Sequence, residues 1–168
     1  MAENSIRNLS KKEIEFLKSQ GNRAQDWSRV KVQEGFDPER IWNSCFSGDV
    51  LLGATMSCAE NDALPLGISH SRLHNCKIGS RCKIHDVQLI SNYSVGDDCE
   101  LFDIGEIVWD GVPEWMEVMN ESGGRKIQPF ASMRISDAYL WAKYRDRKVL
   151  MDALTTMARN SQPTMGKI

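Results

Sequence analysis

Two seven-residue segments constrain the fold of this chain more than any other feature. Ile78-Gly79-Ser80-Arg81-Cys82-Lys83-Ile84 and Val95-Gly96-Asp97-Asp98-Cys99-Glu100-Leu101 share one order of types: aliphatic, Gly, polar, polar, Cys, charged, aliphatic. They begin 17 residues apart. Around them aliphatic residues recur at steps of five or six, at Leu73, Ile78, Ile84, Ile90, Val95, Leu101 and Ile107. Two positions before each stand Ser71, Cys76, Cys82, Gln88, Tyr93, Cys99 and Gly105, mostly small residues. Such a step is neither the 3.6 period of a helix nor the simple alternation of a strand. It describes a chain that turns a corner about every six residues, with Gly supplying the permissive backbone. Three sides of that kind make a coil of about 18 residues, stacked on the next by parallel pairing, as in a solenoid.

The same spacing accounts for the cysteines. There are five (Cys45, Cys58, Cys76, Cys82, Cys99), with no C-x-x-C pair. A disulfide framework or zinc ribbon does not fit that pattern. Cys76, Cys82 and Cys99 fall on the small inward position and Cys58 one coil earlier, so they are expected to be reduced and packed. Cys45 lies outside the pattern and is expected only to be buried.

The repeat resembles the hexapeptide-repeat family, whose motif is aliphatic-Gly-x-x-small-x. That resemblance implies a left-handed parallel β-helix; the handedness comes from the resemblance and not from the spacing. The likeness covers residues 46–107, opening at Phe46-Ser-Gly-Asp-Val-Leu-Leu-Gly53. Cys58 to Gly67 breaks the rhythm and reads as a loop thrown out from a corner. The whole chain also resembles the N-terminal portion of an uncharacterised bacterial family of unknown function built on such a helix. The residues carrying this are Gln20-Gly-Asn22 with Asp26-Trp27, Phe46-Ser-Gly48, Leu73-His-Asn75, Asn92-Tyr93, Asn120 to Arg125 and Ala138 to Arg145. Members of that family look longer, so the chain is expected to be a fragment or a shortened version.

The flanks follow local rules. Ser10-Lys-Lys-Glu13 is a capping box with Leu9 and Ile14 at the staple positions, and Gly21 is the stop, which predicts a helix over 11–19. Asp37-Pro38-Glu39 predicts a short capped helical turn. Val30 to Val32 reads as a brief strand. Val118 to Asn120 and Lys126 to Gln128 flank Glu121-Ser-Gly-Gly124 as a hairpin. Met133, Leu140, Trp141, Tyr144, Met151 and Leu154 predict one long amphipathic helix, and the tail beyond Asn160 reads as loose. The fold class expected is therefore mainly β with α flanks: a short left-handed β-helix of about three coils, capped by an N-terminal helix and a long C-terminal helix. Its segments are 1–45 (cap), 46–107 (repeat), 108–131 (hairpin), 132–160 (helix) and 161–168 (tail), all in one domain.

Length and composition set limits on function. A chain of 168 residues with 41% hydrophobic and 26% charged residues is sized for one soluble globular domain. No apolar run approaches the roughly 18 residues of a spanning helix, and the N-terminus lacks an apolar secretion core. A cytoplasmic protein with no membrane partner is expected. The net charge of −2 argues against a nucleic-acid partner. Charge is nonetheless uneven: residues 97–121 hold nine Asp or Glu and no Lys or Arg. Those acids match no calcium-loop spacing, so no metal is expected. A basic helix face over 134–148 is expected to lie near the acidic sheet edge, within this subunit or a neighbour, rather than to form an anion or nucleic-acid site.

Candidate catalytic groups are the histidines. Many hexapeptide-repeat acyltransferases use a His as general base between subunits of a trimer, and an imidazole suits that proton transfer. His74 follows inward Leu73 and is expected to point outward, with Asn75 beside it. His85 follows inward Ile84 with Asp86 next to it, and His70 belongs to the loop end. No G-x-S-x-G elbow, P-loop or H-E-x-x-H is present; Gly123-Gly124-Arg125 reads as a hairpin turn. Two functions stand. The first is an assembly or binding module, with the long helix mediating homo-oligomerisation. The second is an acyltransferase-like or sugar-nucleotide-linked enzyme, a trimer with His74 or His85 as base. A coenzyme A thioester enters only under the second, and otherwise no cofactor is expected.

Overall fold

In a computed structural model the structure describes residues 5–55, 65–111, 115–118, 124–130, 132–161 and 165–168. The chain divides into two compact units, residues 1–110 with 165–168, and residues 111–164.

The first unit opens with β1 (Ile6–Asn8) and α1 (Lys11–Ser19). The helix starts where the capping box places it. The Ser10 N–H donates to the Glu13 carboxylate at 2.8 Å, and the Ser10 hydroxyl accepts from the Glu13 N–H at 3.3 Å. The Arg7 guanidinium grips the same carboxylate at 2.7 and 2.9 Å and holds its pKa down at about 2. Next come β2 (Arg23–Ala24), β3 (Val30–Gln33), β4 (Ile41–Trp42), β5 (Cys45–Ser47) and β6 (Val50–Leu52). A 3-10 turn at Pro38–Arg40 precedes β4, where the Asp37 carboxylate accepts from the Glu39 N–H at 2.9 Å. The unit continues through β7 (Gly67–Ser69), β8 (Arg72–His74), β9 (Lys77–Ile78), β10 (Lys83–Ser91), β11 (Tyr93–Val95) and β12 (Glu100–Val108).

The second unit holds β13 (Met116–Glu117) paired antiparallel with β14 (Lys126–Ile127), then α2 (Ile135–Lys143) and α3 (Lys148–Asn160). The hairpin tip lies outside the described residues. The one long helix expected over 132–160 is two, broken across Tyr144 to Arg147. Trp141 and Ala142 on α2 share a core with Leu154 and Ala158 on α3, Ile127 and Phe130. In one straight helix Trp141 and Leu154 would point about 140° apart. The break lets both helices face the same core.

The chain then returns to the first unit as β15 (Gly166–Lys167), which pairs with β11 in parallel. The tail expected to be loose is a strand, and the second unit is an excursion between β12 and β15. Gly166 permits this, because a Cβ there would run into the Tyr93 ring. The sequence signal was the Gly-Lys-Ile end, which repeats the Cys76-Lys77-Ile78 pattern and lies in register with it through Ser94.

Two sheets build the first unit. One has six strands in the order β1-β3-β6-β9-β11-β15, parallel except for the β1–β3 pair. The other has the order β2-β5-β8-β10-β7-β4 with β12 also on β10. The expected left-handed three-coil β-helix is therefore corrected to a mixed α/β fold with, among the described residues, three α-helices and a curled parallel sheet. Parallel returns are also uneven: Ala24 to Phe46 to Leu73, then Ile84 to Leu101. The physical reason lies at the corners. Asp86 and Asp103 take the left-handed backbone (φ +56° and +51°) inside β10 and β12. Asp tolerates that conformation better than most residues. Each bend turns the strand without ending its ladder, so β10 pairs β7 through Lys83–His85 and β8 through Ile90–Ser91. Two expected sides thus merge into one curled sheet.

The aliphatic row fills the core: Leu73, Ile78, Ile84, Ile90, Val95 and Leu101 are all buried, with Leu17 of α1 covering one end.

Candidate functional site

The three histidines sit on the curled sheet in separate hydrogen-bond sets. His74 on β8 is half-buried. The Asn75 Oδ1 accepts from the Asp49 N–H at 3.0 Å, which fixes that amide and makes its Nδ2 the donor to His74 Nε2 at 3.0 Å. The proton of His74 is thereby placed on Nδ1, facing Ser47 Oγ at 2.9 Å. Asn75 also donates to Asn92 Oδ1, and Asn92 to the Trp109 carbonyl, forming a ladder of amides. His85 does not point into solvent as expected; it is 4% exposed. Its Nε2 lies 2.7 Å from the Pro65 carbonyl, which can only accept, and Ser69 Oγ meets Nδ1 at 2.7 Å. Both nitrogens are committed, because the chain entering β7 lies against the ring. His70 is exposed in the left-handed conformation, with Nε2 at 3.3 Å from Asn43 Nδ2 and Nδ1 at 3.7 Å from Asp86. His74 is level with Ser91, beyond the Asp86 bend from His85. A general base needs a free lone pair, and neither His74 nor His85 presents one here.

The cysteines separate into classes. Cys76 and Cys82 are buried, their thiols donating to the Ile90 and Gly96 carbonyls at 3.2 and 3.1 Å. Burial pushes both thiols up, Cys82 to about 11. Cys99, one rung later, is half-exposed, and Cys58 lies outside the described residues. Cys45 corrects the expectation of burial: it is exposed, its neighbours in register being Arg23 and Arg72. A thiol reagent applied to the native protein is expected to modify Cys45 at once and Cys76 and Cys82 only when the sheet opens. Peptide mapping by mass spectrometry reads this. Equal labelling rates for Cys45 and Cys76 would contradict the packing described.

The ends of the curled sheet differ. At the N-terminal end α1 is tied down by the buried Asn22. Its Nδ2 donates to the Leu17 and Ile41 carbonyls at 3.0 and 2.7 Å, and its Oδ1 accepts from the Ser44 N–H at 2.9 Å. At the other end β12 pairs with β10 alone among the described residues. Lys83 N–H donates to the Cys99 carbonyl and Trp109 N–H to the Ser91 carbonyl. Backbone groups alternate in direction along a strand, so Glu100, Phe102, Glu106 and Val108 turn their N–H and C=O away from β10. Phe102 and Val108 are 54% and 46% exposed. Leu101 is 8% exposed where Ile84 beneath it is 0%, and Ile104 and Ile107 are only partly buried. The acidic stretch noted in the sequence supplies Glu100, Asp103 and Glu106 to this edge. The unbroken acidic run was the sequence signal for this strand.

The family described as a domain of unknown function (DUF4954) matches residues 6–167. The chain belongs to this family. An uncharacterized protein of Treponema pallidum (strain Nichols) is 36% identical over 177 residues, which cover 94% of this chain and 24% of that protein. The chain thus spans about a quarter of the length of the curated relative it matches. No solved structure matches it. No helix among the described residues is long and apolar enough to cross a membrane. Among those residues no cluster of three or more His, Cys, Asp or Glu is placed to hold a metal ion.

Proposed function

We propose that this DUF4954 segment is an assembly module that acts by accepting a further parallel strand on the outer edge of β12. One observation carries the reading: β12 is nine residues long, hydrogen-bonded through one edge among the described residues, and backed by an incompletely covered apolar row. A long open edge is a template for strand addition, with main-chain bonds giving affinity and side-chain rows giving selectivity. The acyl-transfer alternative, with coenzyme A and a trimer, draws less support, since His74 and His85 have their ring nitrogens engaged.

The test is selection of displayed nonapeptides on the protein, followed by rebinding to the Phe102→Pro variant. Proline removes an N–H that faces away from β10, so the fold is retained while the acceptor edge loses a donor. Selected peptides are expected to bind the variant at least roughly tenfold more weakly. Undiminished binding to it would place the acceptor surface elsewhere and refute the reading.

A further inference from the structure

We infer that the strand added to β12 is an extended segment of a partner protein with basic residues level with Glu100 and Glu106 and aliphatic residues level with Leu101, Ile104 and Ile107. This rests on the strand-acceptor reading above and specifies the partner. The pairing already present beneath β12 is the template. Lys83 stands opposite Glu100 in the β10–β12 register, with its Nζ 2.6 Å from the Glu100 carboxylate. Ile84, on the same strand, stands opposite Leu101. Glu106 lies opposite Leu89 and Asp103 at the bend, so the acids along β12 outnumber the cations that β10 offers them.

A second copy of the chain is the weaker occupant on two grounds. Two β12 strands placed edge to edge would bring the Glu100, Asp103 and Glu106 of both copies to one junction, a concentration of like charge that disfavours the pairing. The N-terminal end that a head-to-tail copy would present is occupied by α1, with Leu17 fully buried and Asn22 bonded to both the helix and β4. A basic and aliphatic strand satisfies the outward N–H and C=O groups, covers Leu101 and Ile107, neutralises Glu106 and sets a second cation beside Glu100, which Lys83 already pairs.

The experiment uses two synthetic nonapeptides labelled for fluorescence anisotropy. One reads Lys-Ile-Thr-Asn-Val-Gly-Lys-Ile-Thr; the other has Glu at both Lys positions. The basic peptide is expected to bind roughly tenfold or more tightly than the acidic one at low salt, with the difference shrinking as salt rises. The variant Glu106→Lys, at an exposed position, is expected to narrow or reverse that preference. Equal binding of both peptides, lost together in Phe102→Pro, overturns the basic partner while leaving the strand-acceptor reading intact. Binding of either peptide that is indifferent to Phe102→Pro overturns both. Concentration-dependent dimerisation that excludes the peptides assigns the edge to a second copy and also overturns the basic partner.

Discussion

Gly79→Val is expected to lower the unfolding free energy by about 3 kcal/mol, the scale of a forced overpacking with no room to relax. Gly53, Gly79 and Gly96 stack where the chain turns, each backbone resting on the next. A Cβ on Gly79 would lie 2.5 Å from the carbonyl carbon and oxygen of Gly96 and 2.6 Å from the Asp97 nitrogen. These are main-chain atoms held in the parallel ladder, so no side-chain rotation relieves the overlap. The strands β9 and β11 must separate, and with them the register of Ile78 on Val95. Gly105→Ala is the matched comparison, since nothing lies within 4 Å of the added carbon. It is expected to change stability by less than about 0.5 kcal/mol. Denaturant unfolding of the two variants checks this; equal stabilities would contradict the close stacking.

Asn22→Leu carries the second large effect, also about 3 kcal/mol. Asn22 is 3% exposed and its side chain serves three backbone groups at once. Leucine has nearly the same volume but leaves the Ser44 N–H and the Leu17 and Ile41 carbonyls without that partner. A buried group stripped of its bond costs about 1–3 kcal/mol. Because two of the three bonds tie α1 and β4 together, the loss is expected to be local as well as global. Amide exchange in Lys11–Ser19 should rise more than in β10. Unchanged protection of α1 in this variant would mean that Leu17 alone holds the helix.

What the sequence made legible was mostly local. The bounds of α1 follow from Ser10, Glu13 and Gly21 because a capping box is satisfied by bonds within four residues. The inward aliphatic row from Leu73 to Leu101 is readable because each member repeats the same spacing to the core. The curled sheet was not readable, since Asp86 and Asp103 supply the left-handed corner that the repeat assigns to Gly, and they do so inside continuous strands. The break between α2 and α3 has no Pro or Gly to mark it; it follows from Trp141 and Leu154 sharing one core. His85 was expected at the surface because alternation places it outward, but Pro65, at the entry to β7, covers that face. Cys99 is half-exposed although its spacing matches Cys82, since it precedes β12, beyond which no strand pairs among the described residues. The candidate site was the least legible part. An open edge depends on which strand finds no neighbour, and that is decided only when all the strands are in place.

If β12 accepts a strand, the outward row of its backbone groups must be free. Residue-resolved amide hydrogen exchange on the isolated protein tests it most directly. The amides of Glu100, Phe102, Glu106 and Val108 are expected to exchange roughly a hundredfold faster than those of Leu101, Ile107 and Trp109 on the β10 side. Equal protection of the two sets would show that the outer edge is already paired and would contradict the strand-acceptor account.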